Sequence, residues 1–223
     1  MADIVAHEHK NYDENLVFMG STGAARYMPL TANAPAANMG AYPAEAVILG
    51  WIEESGVVET LEQEFAEVKP FNANGTILSR CTKEEVTFKV GFLSSTGIAA
   101  ALHYNVPESE MSFDDSSGVV TFKKGAELPK PMKFRLGIDV LDGDKARRFF
   151  LPNAEITARE DLNFKKGEPV KYGFTIKATI DRKLGYAIQR EIKEGWQPGK
   201  VGTKNEGTSG VRDAGAWHEE IDG

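Results

Sequence analysis

The chain has 223 residues, 41% of them hydrophobic, enough to bury a core and to argue against disorder of the whole. Its 26 Lys and Arg residues against 33 Asp and Glu give a formal charge of −7, a sign that repels a phosphate backbone and disfavours tight nucleic-acid binding. Cys81 is the sole cysteine, which excludes an intramolecular disulfide and a site built from several thiolates.

The first residues carry Asp3, Glu8, Lys10, Asp13 and Glu14, so they lack the apolar stretch of a secretion signal. No run approaches membrane-spanning length. The expectation is a chain that folds in a reducing cytoplasm and stays soluble, with residues 1–14 as an N-terminal arm.

The strand signals begin with LVFMG, ARYMP and AVILGWIEE, which lie between residues 16 and 54. From Ile52 to Val68 the chain has acids at Glu53, Glu54, Glu59, Glu62, Glu64 and Glu67 and no basic residue; taken alone, this stretch reads as a solvated loop. TILSRC follows, with Cys81 as a small strand residue. In KEEVTFKVGF, Val86, Phe88, Val90 and Phe92 alternate with Thr87, Lys89 and Gly91, the pattern of a half-buried strand. A helix starting at Ser94 or Ser95 is predicted through GIAAALHY, with Ser and Thr as caps.

EMSF and VVTF form a hairpin around Asp115 to Gly118. PMKFRLGIDV places Met132, Phe134, Leu136, Ile138 and Val140 on one face, with Lys133, Arg135 and Asp139 opposite. Asp142-Gly143 then turns the chain into ARRFFLP, because that pair tolerates the positive φ of a tight hairpin. PVKYGFTIKATI lines Val170, Tyr172, Phe174, Ile176, Ala178 and Ile180 on one side and Lys171, Thr175, Lys177 and Thr179 on the other. LGYAIQR is a further strand. Strands with polar backs imply antiparallel sheets, and their number gives a mainly β sandwich or flattened barrel with one short α-helix. The domain spans residues 15–194, followed by a Gly-rich polar extension over 195–223.

Charge is segregated. The acidic Ile52–Val68 stretch contrasts with Lys123, Lys124, Lys130, Lys133, Arg135, Lys145, Arg147 and Arg148, an arrangement that suits head-to-tail association of copies.

Catalytic patterns are scarce. The four histidines are His7, His9, His103 and His218; His7 and His9 share a face of an extended arm but are too few to hold a metal. His103 reads as a helix-end cation or an interface residue, since no triad pattern surrounds it. Gly202 to Ser209 has glycine spacing like a phosphate loop but Thr208 in place of the lysine. Asp139, Asp142 and Asp144 lack calcium-loop spacing, and Asn74-Gly75-Thr76 is a glycosylation acceptor only in a secretory pathway. The chain is expected to be no enzyme and to use no metal or cofactor. A ligand- or carbohydrate-binding β-sandwich module is an alternative.

LVFMGSTGAARYMPL, TANAP and ILGWIEESGVVETLEQEFAEVKPFNANGTILSRCTKEEVTFKVGF resemble the amino-terminal half of major tail tube proteins from long-tailed, siphovirus-type phages of actinobacteria. FFLPNAEITAREDLNFKKGEPVKYGFTIKATID is similar to the carboxy-terminal part of that family. Together these segments cover most of residues 15–190. The resemblance implies the phage tail tube fold and hexameric rings stacked into a tube in the virion tail. Double-stranded DNA would pass through the channel without specific binding, so acidity becomes useful. It implies as partners the tape measure protein, the tail terminator and the baseplate or distal tail proteins; bacterial secretion-tube subunits are a variant. The segment from Gly56 to Asn74 corresponds to the loop or hairpin that reaches neighbouring subunits, with Glu59, Glu62, Glu64 and Glu67 as assembly or channel candidates. Trp196 and Trp217 are candidate interface anchors.

Overall fold

The computed structural model describes residues 14–196. Residues 1–13 of the arm expected over 1–14, and the extension beyond Trp196 that contains Trp217, lie outside the described residues.

Among the described residues ten strands and one α-helix follow in chain order: β1 (Thr22–Met28), β2 (Val47–Ile48), β3 (Ile52–Val68), β4 (Leu78–Phe92), α1 (Gly97–Tyr104), β5 (Ser112–Asp114), β6 (Val119–Thr121), β7 (Lys133–Asp142), β8 (Lys145–Arg159), β9 (Tyr172–Ala178) and β10 (Gln189–Lys193). The main sheet runs β2-β1-β7-β8-β9-β4-β3, with β10 also on β8, while β5 and β6 form a separate hairpin. Every pairing is antiparallel. The expected mainly β antiparallel fold with a single short helix is the fold the chain adopts.

The sheet closes on itself through its first and last strands, because β2 and β3 are consecutive in the chain. Leu49 donates its N–H to the Ala25 carbonyl at 2.9 Å, whereas Leu93 donates to the Trp51 carbonyl at 2.8 Å. Gly50 lies between them at φ 123°, a conformation that side chains rarely adopt, and a Cβ there would collide with Ser94. One short stretch thus joins both ends of the sheet into a flattened barrel.

Alternation fills the interior. Phe88, Phe92, Phe134, Leu136, Ile138, Phe174 and Ile176 are fully buried, each such side chain contributing roughly 1.5–3 kcal/mol. Phe88 meets Phe149 with ring centroids 5.3 Å apart, and Phe92 meets Phe174 at 6.0 Å. On the polar back, Lys89 and Lys171 both reach Glu160, at 2.9 and 2.7 Å. The β9 alternation stops sooner than expected: the strand ends at Ala178, and Ile180 is 65% exposed.

Helix α1 packs where β4 finishes and β9 begins, burying Ala99, Ala101 and Leu102. Its cap is Thr96, one or two residues after the expected start, with the hydroxyl accepting from the Ala99 N–H at 3.1 Å. Asn105 ends the helix in the left-handed region at φ 55°. The hairpin turns fall as expected, with Gly143 at φ 57° and Gly118 at φ 67°. LVFMG is not a strand; a 3-10 turn over Glu14–Leu16 takes in its first residue, and the first strand begins at Thr22.

The outer face of β7 departs most from expectation. Arg135 and Arg148, read as members of an exposed basic surface, are both 8% exposed. Residues 29–46 and 181–187 fold over this face around Met28, Ala32 and Phe150, with Tyr42 and Tyr186 packed on them. Gly137 leaves the space that the Tyr42 ring fills. Asp139 anchors the cover: it accepts from the Tyr42 hydroxyl at 2.9 Å, from Arg148 Nε at 2.7 Å and from Arg26 at 2.8 Å. Both guanidinium carbons lie over the Tyr42 ring, at 4.5 and 4.4 Å. Burial, then the Asp139 charge, push the Tyr42 hydroxyl pKa well above its ordinary range. Arg135 faces Asp181 at 3.6 Å, and Arg147 pairs with Glu194. Arg135 and Arg148 are thus consumed inside the subunit, whereas Arg147 keeps 40% of its side-chain exposure.

Candidate assembly surface

The stretch that reads as a loop is the longest strand among the described residues. β3 and β4 stay paired from Val57 opposite Val90 to Val68 opposite Leu78, with one shift of register on the way. β9, however, pairs only with residues Thr87–Phe92 of β4. Residues 59–68 and 78–84 are all exposed, so the two strands leave the barrel as a ribbon. Residues 60–68 alone reach about 30 Å at ~3.4 Å per residue. Among the described residues, neither outer edge of this ribbon is paired.

Directly opposed residues share a face, and the register therefore sorts the four candidate glutamates. Glu59 lies opposite Phe88 and Leu61 opposite Val86, so this face continues the barrel interior. It goes on through Gln63, Phe65 and Glu67. Glu62, opposite Glu85, and Glu64, opposite Lys83, lie on the other face. The acids form two pairs on two faces rather than one row. A bulge between Glu64 and Phe65 leaves Thr82 extra on β4, where its hydroxyl donates to the Glu64 carbonyl at 3.1 Å.

Three of the four have cationic partners within the subunit. Glu59 accepts from Arg190 Nε at 2.8 Å, Glu64 takes Lys83 at 2.9 Å and Glu67 takes Lys69 at 3.4 Å. Glu62 has no ion-pair partner among the described residues. Its cross-strand neighbour Glu85 bonds Lys177 at 2.5 Å, and that bond holds the Glu85 carboxyl below its usual pKa against the opposing effect of desolvation.

Apolar side chains lie on both faces and at the tip. On the face of Glu59, Leu61 is 55% exposed and Phe65 56%; on the face of Glu62, Val58 and Val68 are each 49% exposed; Phe71 and Ile77 project freely. At the root an open cleft of about 820 Å³ lies between the ribbon and β10, lined by Leu61, Val86, Ile180, Ile188, Lys177 and Arg190. Composition gave no hint of Arg190 and Lys177 as tethers, since both depend on β10 and β9 returning beside the ribbon.

The remaining candidates are dispersed. Trp196 is half-exposed after β10, its Nε1 donating to Glu194 at 3.3 Å. Trp51, at the barrel closure, is 80% exposed. His103 lies in the last turn of α1, its ring against Tyr172 and Phe174 at 5.6 and 6.3 Å. Burial, then Arg159, lower its pKa and so disfavour the cationic form. Among the described residues no group of three His, Cys, Asp or Glu side chains converges to hold a metal ion, and no helix is long and apolar enough to cross a membrane. Compared with protein-family models and with curated proteins, the chain matches none.

Proposed function

We propose that this chain is a structural subunit that assembles with copies of itself, as a major tail tube protein whose hexameric rings stack around a channel for genome passage in a phage tail. The observation that carries the reading is the ribbon. A two-stranded hairpin is marginal in water without further strands or a packing partner, and exposed ion pairs add only about 0–1 kcal/mol each. This ribbon nevertheless extends well beyond the barrel with apolar side chains on both faces and two open edges. Open edges of this kind are templates for pairing with another chain, and the neighbour that is always available to a self-assembling subunit is another copy. The resemblance in sequence supplies the tube. The formal charge of −7 suits a conduit that must let DNA pass without holding it. No catalytic role is part of the proposal, and the tape measure, terminator and distal tail proteins are its expected partners in the virion.

Purified full-length chain, concentrated and imaged by negative stain, should give rings or tubes of uniform diameter. A chain that sediments as a monomer at every concentration tested, in low and moderate salt, would overturn the reading.

A further inference from the structure

A Phe-Lys-Lys-Gly segment ending in Glu and Pro occurs twice, as FKKGAELP from Phe122 and FKKGEP from Phe164. The first leads into β7 and the second into β9, the strands that flank β8 on its two sides. Both strands begin where α1 packs: Asn105 donates to the Lys130 carbonyl at 3.0 Å, and Arg159 donates to the Leu102 carbonyl at 2.9 Å. The two Lys-Lys tips therefore occupy one end of the barrel. The acidic ribbon leaves β4 at its other end.

Lys123, Lys124, Lys165 and Lys166 are all exposed. Of these, only Lys165 has a carboxylate within reach among the described residues, Glu168 at 3.6 Å. Glu108, Glu110, Asp114 and Asp115 lie on the neighbouring 3-10 turn and the β5–β6 hairpin, so the positive charge at this end is confined to the tips. Apolar side chains accompany it, Leu128 at 93% and Phe164 at 78% exposure. The ribbon offers the complement: β3 has no basic residue along its length, the glutamates of the ribbon outnumber Arg80 and Lys83 on its β4 side, and Leu61 and Phe65 are exposed on the face of Glu59 and Glu67. Because the ribbon points away from the tips of its own barrel, the match can be made only between copies.

We propose that the two Phe-Lys-Lys-Gly tips are the seat for the acidic ribbon of a second copy. This rests on the self-assembly reading above and adds to it the receiving surface and the polarity. Different surfaces meet, so each copy receives one ribbon and offers one, and the contact builds a ring or a filament instead of ending at a dimer. Charge contributes mainly direction and encounter rate, and the apolar side chains supply the burial.

Two full-length variants test it by mixing. One carries Lys123→Glu, Lys124→Glu, Lys165→Glu and Lys166→Glu; the other carries Glu62→Lys, Glu64→Lys and Glu67→Lys. Circular dichroism and thermal midpoints establish that both fold, and a Lys→Gln set at the tips replaces the first should it fail. Each variant alone meets like charge and should lose all species above monomer in sedimentation velocity. Mixed in equal amounts, they should regain assemblies of wild-type size, since each ribbon then finds a tip of opposite sign. If the Gln set is used, assembly should weaken and lose its dependence on salt. Wild-type assembly by either variant alone, or no recovery on mixing, would overturn the seat while leaving the tube reading intact. A wild-type chain that never assembles would remove the tube reading itself.

Discussion

Arg190 on β10 donates from Nε to Glu59 of the ribbon at 2.8 Å, across 131 residues of sequence. The contact ties the root of the ribbon to the strand that completes β8, over the cleft between them. Both side chains keep about a third of their exposure, 37% and 29%, so the pair is worth no more than about 1 kcal/mol of global stability. Its effect is local. Arg190→Ala should leave the urea midpoint nearly unchanged and speed amide exchange in residues 59–64, and 1 M salt should do the same to the wild type, where the Debye length is about 3 Å. Exchange in the ribbon that ignores both changes would show that β10 does not hold it.

Asp139 presents the opposite case, because its partners are buried. Asp139→Ala removes the anion that accepts from Arg148, Arg26 and Tyr42, and Arg148, with its side chain 9% exposed, is left as an uncompensated charge. Breaking such a pair costs about 3–5 kcal/mol. Tyr42→Phe removes one hydrogen bond to a charged group and should cost about 1.5–3 kcal/mol. Equilibrium urea unfolding measures both, and residues 29–46 should become the preferred site of limited proteolysis in Asp139→Ala. A loss below about 1 kcal/mol in Asp139→Ala would mean that packing around Met28 and Phe150, not this cluster, holds the cover in place.

These two regions also mark where the sequence is readable and where it is not. Phe88, Phe134 and Phe174 alternate with polar neighbours because one face of each strand meets the core and the other meets water or a charged back, so period two suffices to find them. β7 breaks the rule at Arg135 and Gly137, whose outer face is covered by a loop far away in sequence; no local pattern encodes that cover, and only the glycine that admits Tyr42 leaves a trace. The ribbon fails for the converse reason. With both faces exposed, nothing forces residues 59–68 to alternate, and a strand without a buried side is indistinguishable in composition from an acidic loop. The cross-strand pairing that separates Glu59 and Glu67 from Glu62 and Glu64 follows from the β3–β4 register and its bulge, neither of which composition reveals.

His103 makes the pH dependence specific. Its imidazole is held below the ordinary value of 6.5, first by burial and then by Arg159, and its Nδ1 is buried without a hydrogen-bond partner. The unfolded chain takes up a proton near pH 6.5 while the folded chain still excludes it, so stability is full above that pH and falls as pH drops through the window beneath it. The depressed carboxyls of Glu85, Glu160 and Asp181 act at lower pH, below the ordinary range of an acid. His103→Phe keeps an aromatic ring against Tyr172 and Phe174 and removes the titration. Its stability should change less than that of the wild type between pH 7.5 and 5, measured as urea midpoints across the series. Parallel profiles for the two proteins would place the proton uptake elsewhere.

The exposed apolar side chains of the ribbon separate folding from assembly. Leu61 and Phe65 add little to a free subunit, because solvent already reaches more than half of each, and surface substitutions of this kind usually shift stability by no more than about 0.5 kcal/mol. In a contact between copies the same side chains would be covered, with a gain of roughly 25 cal/mol for each Å² of apolar surface removed from water. Leu61→Ser with Phe65→Ser should therefore keep the wild-type thermal midpoint at low concentration and abolish the proposed assembly at concentrations where the wild type sediments above monomer. Phe174→Asp is the control for the opposite outcome, because a charge placed in the fully buried core should prevent folding itself. If the Leu61 and Phe65 pair instead lowers the monomer midpoint as a core substitution would, the ribbon packs on its own barrel, and its apolar faces belong to the fold rather than to a neighbour.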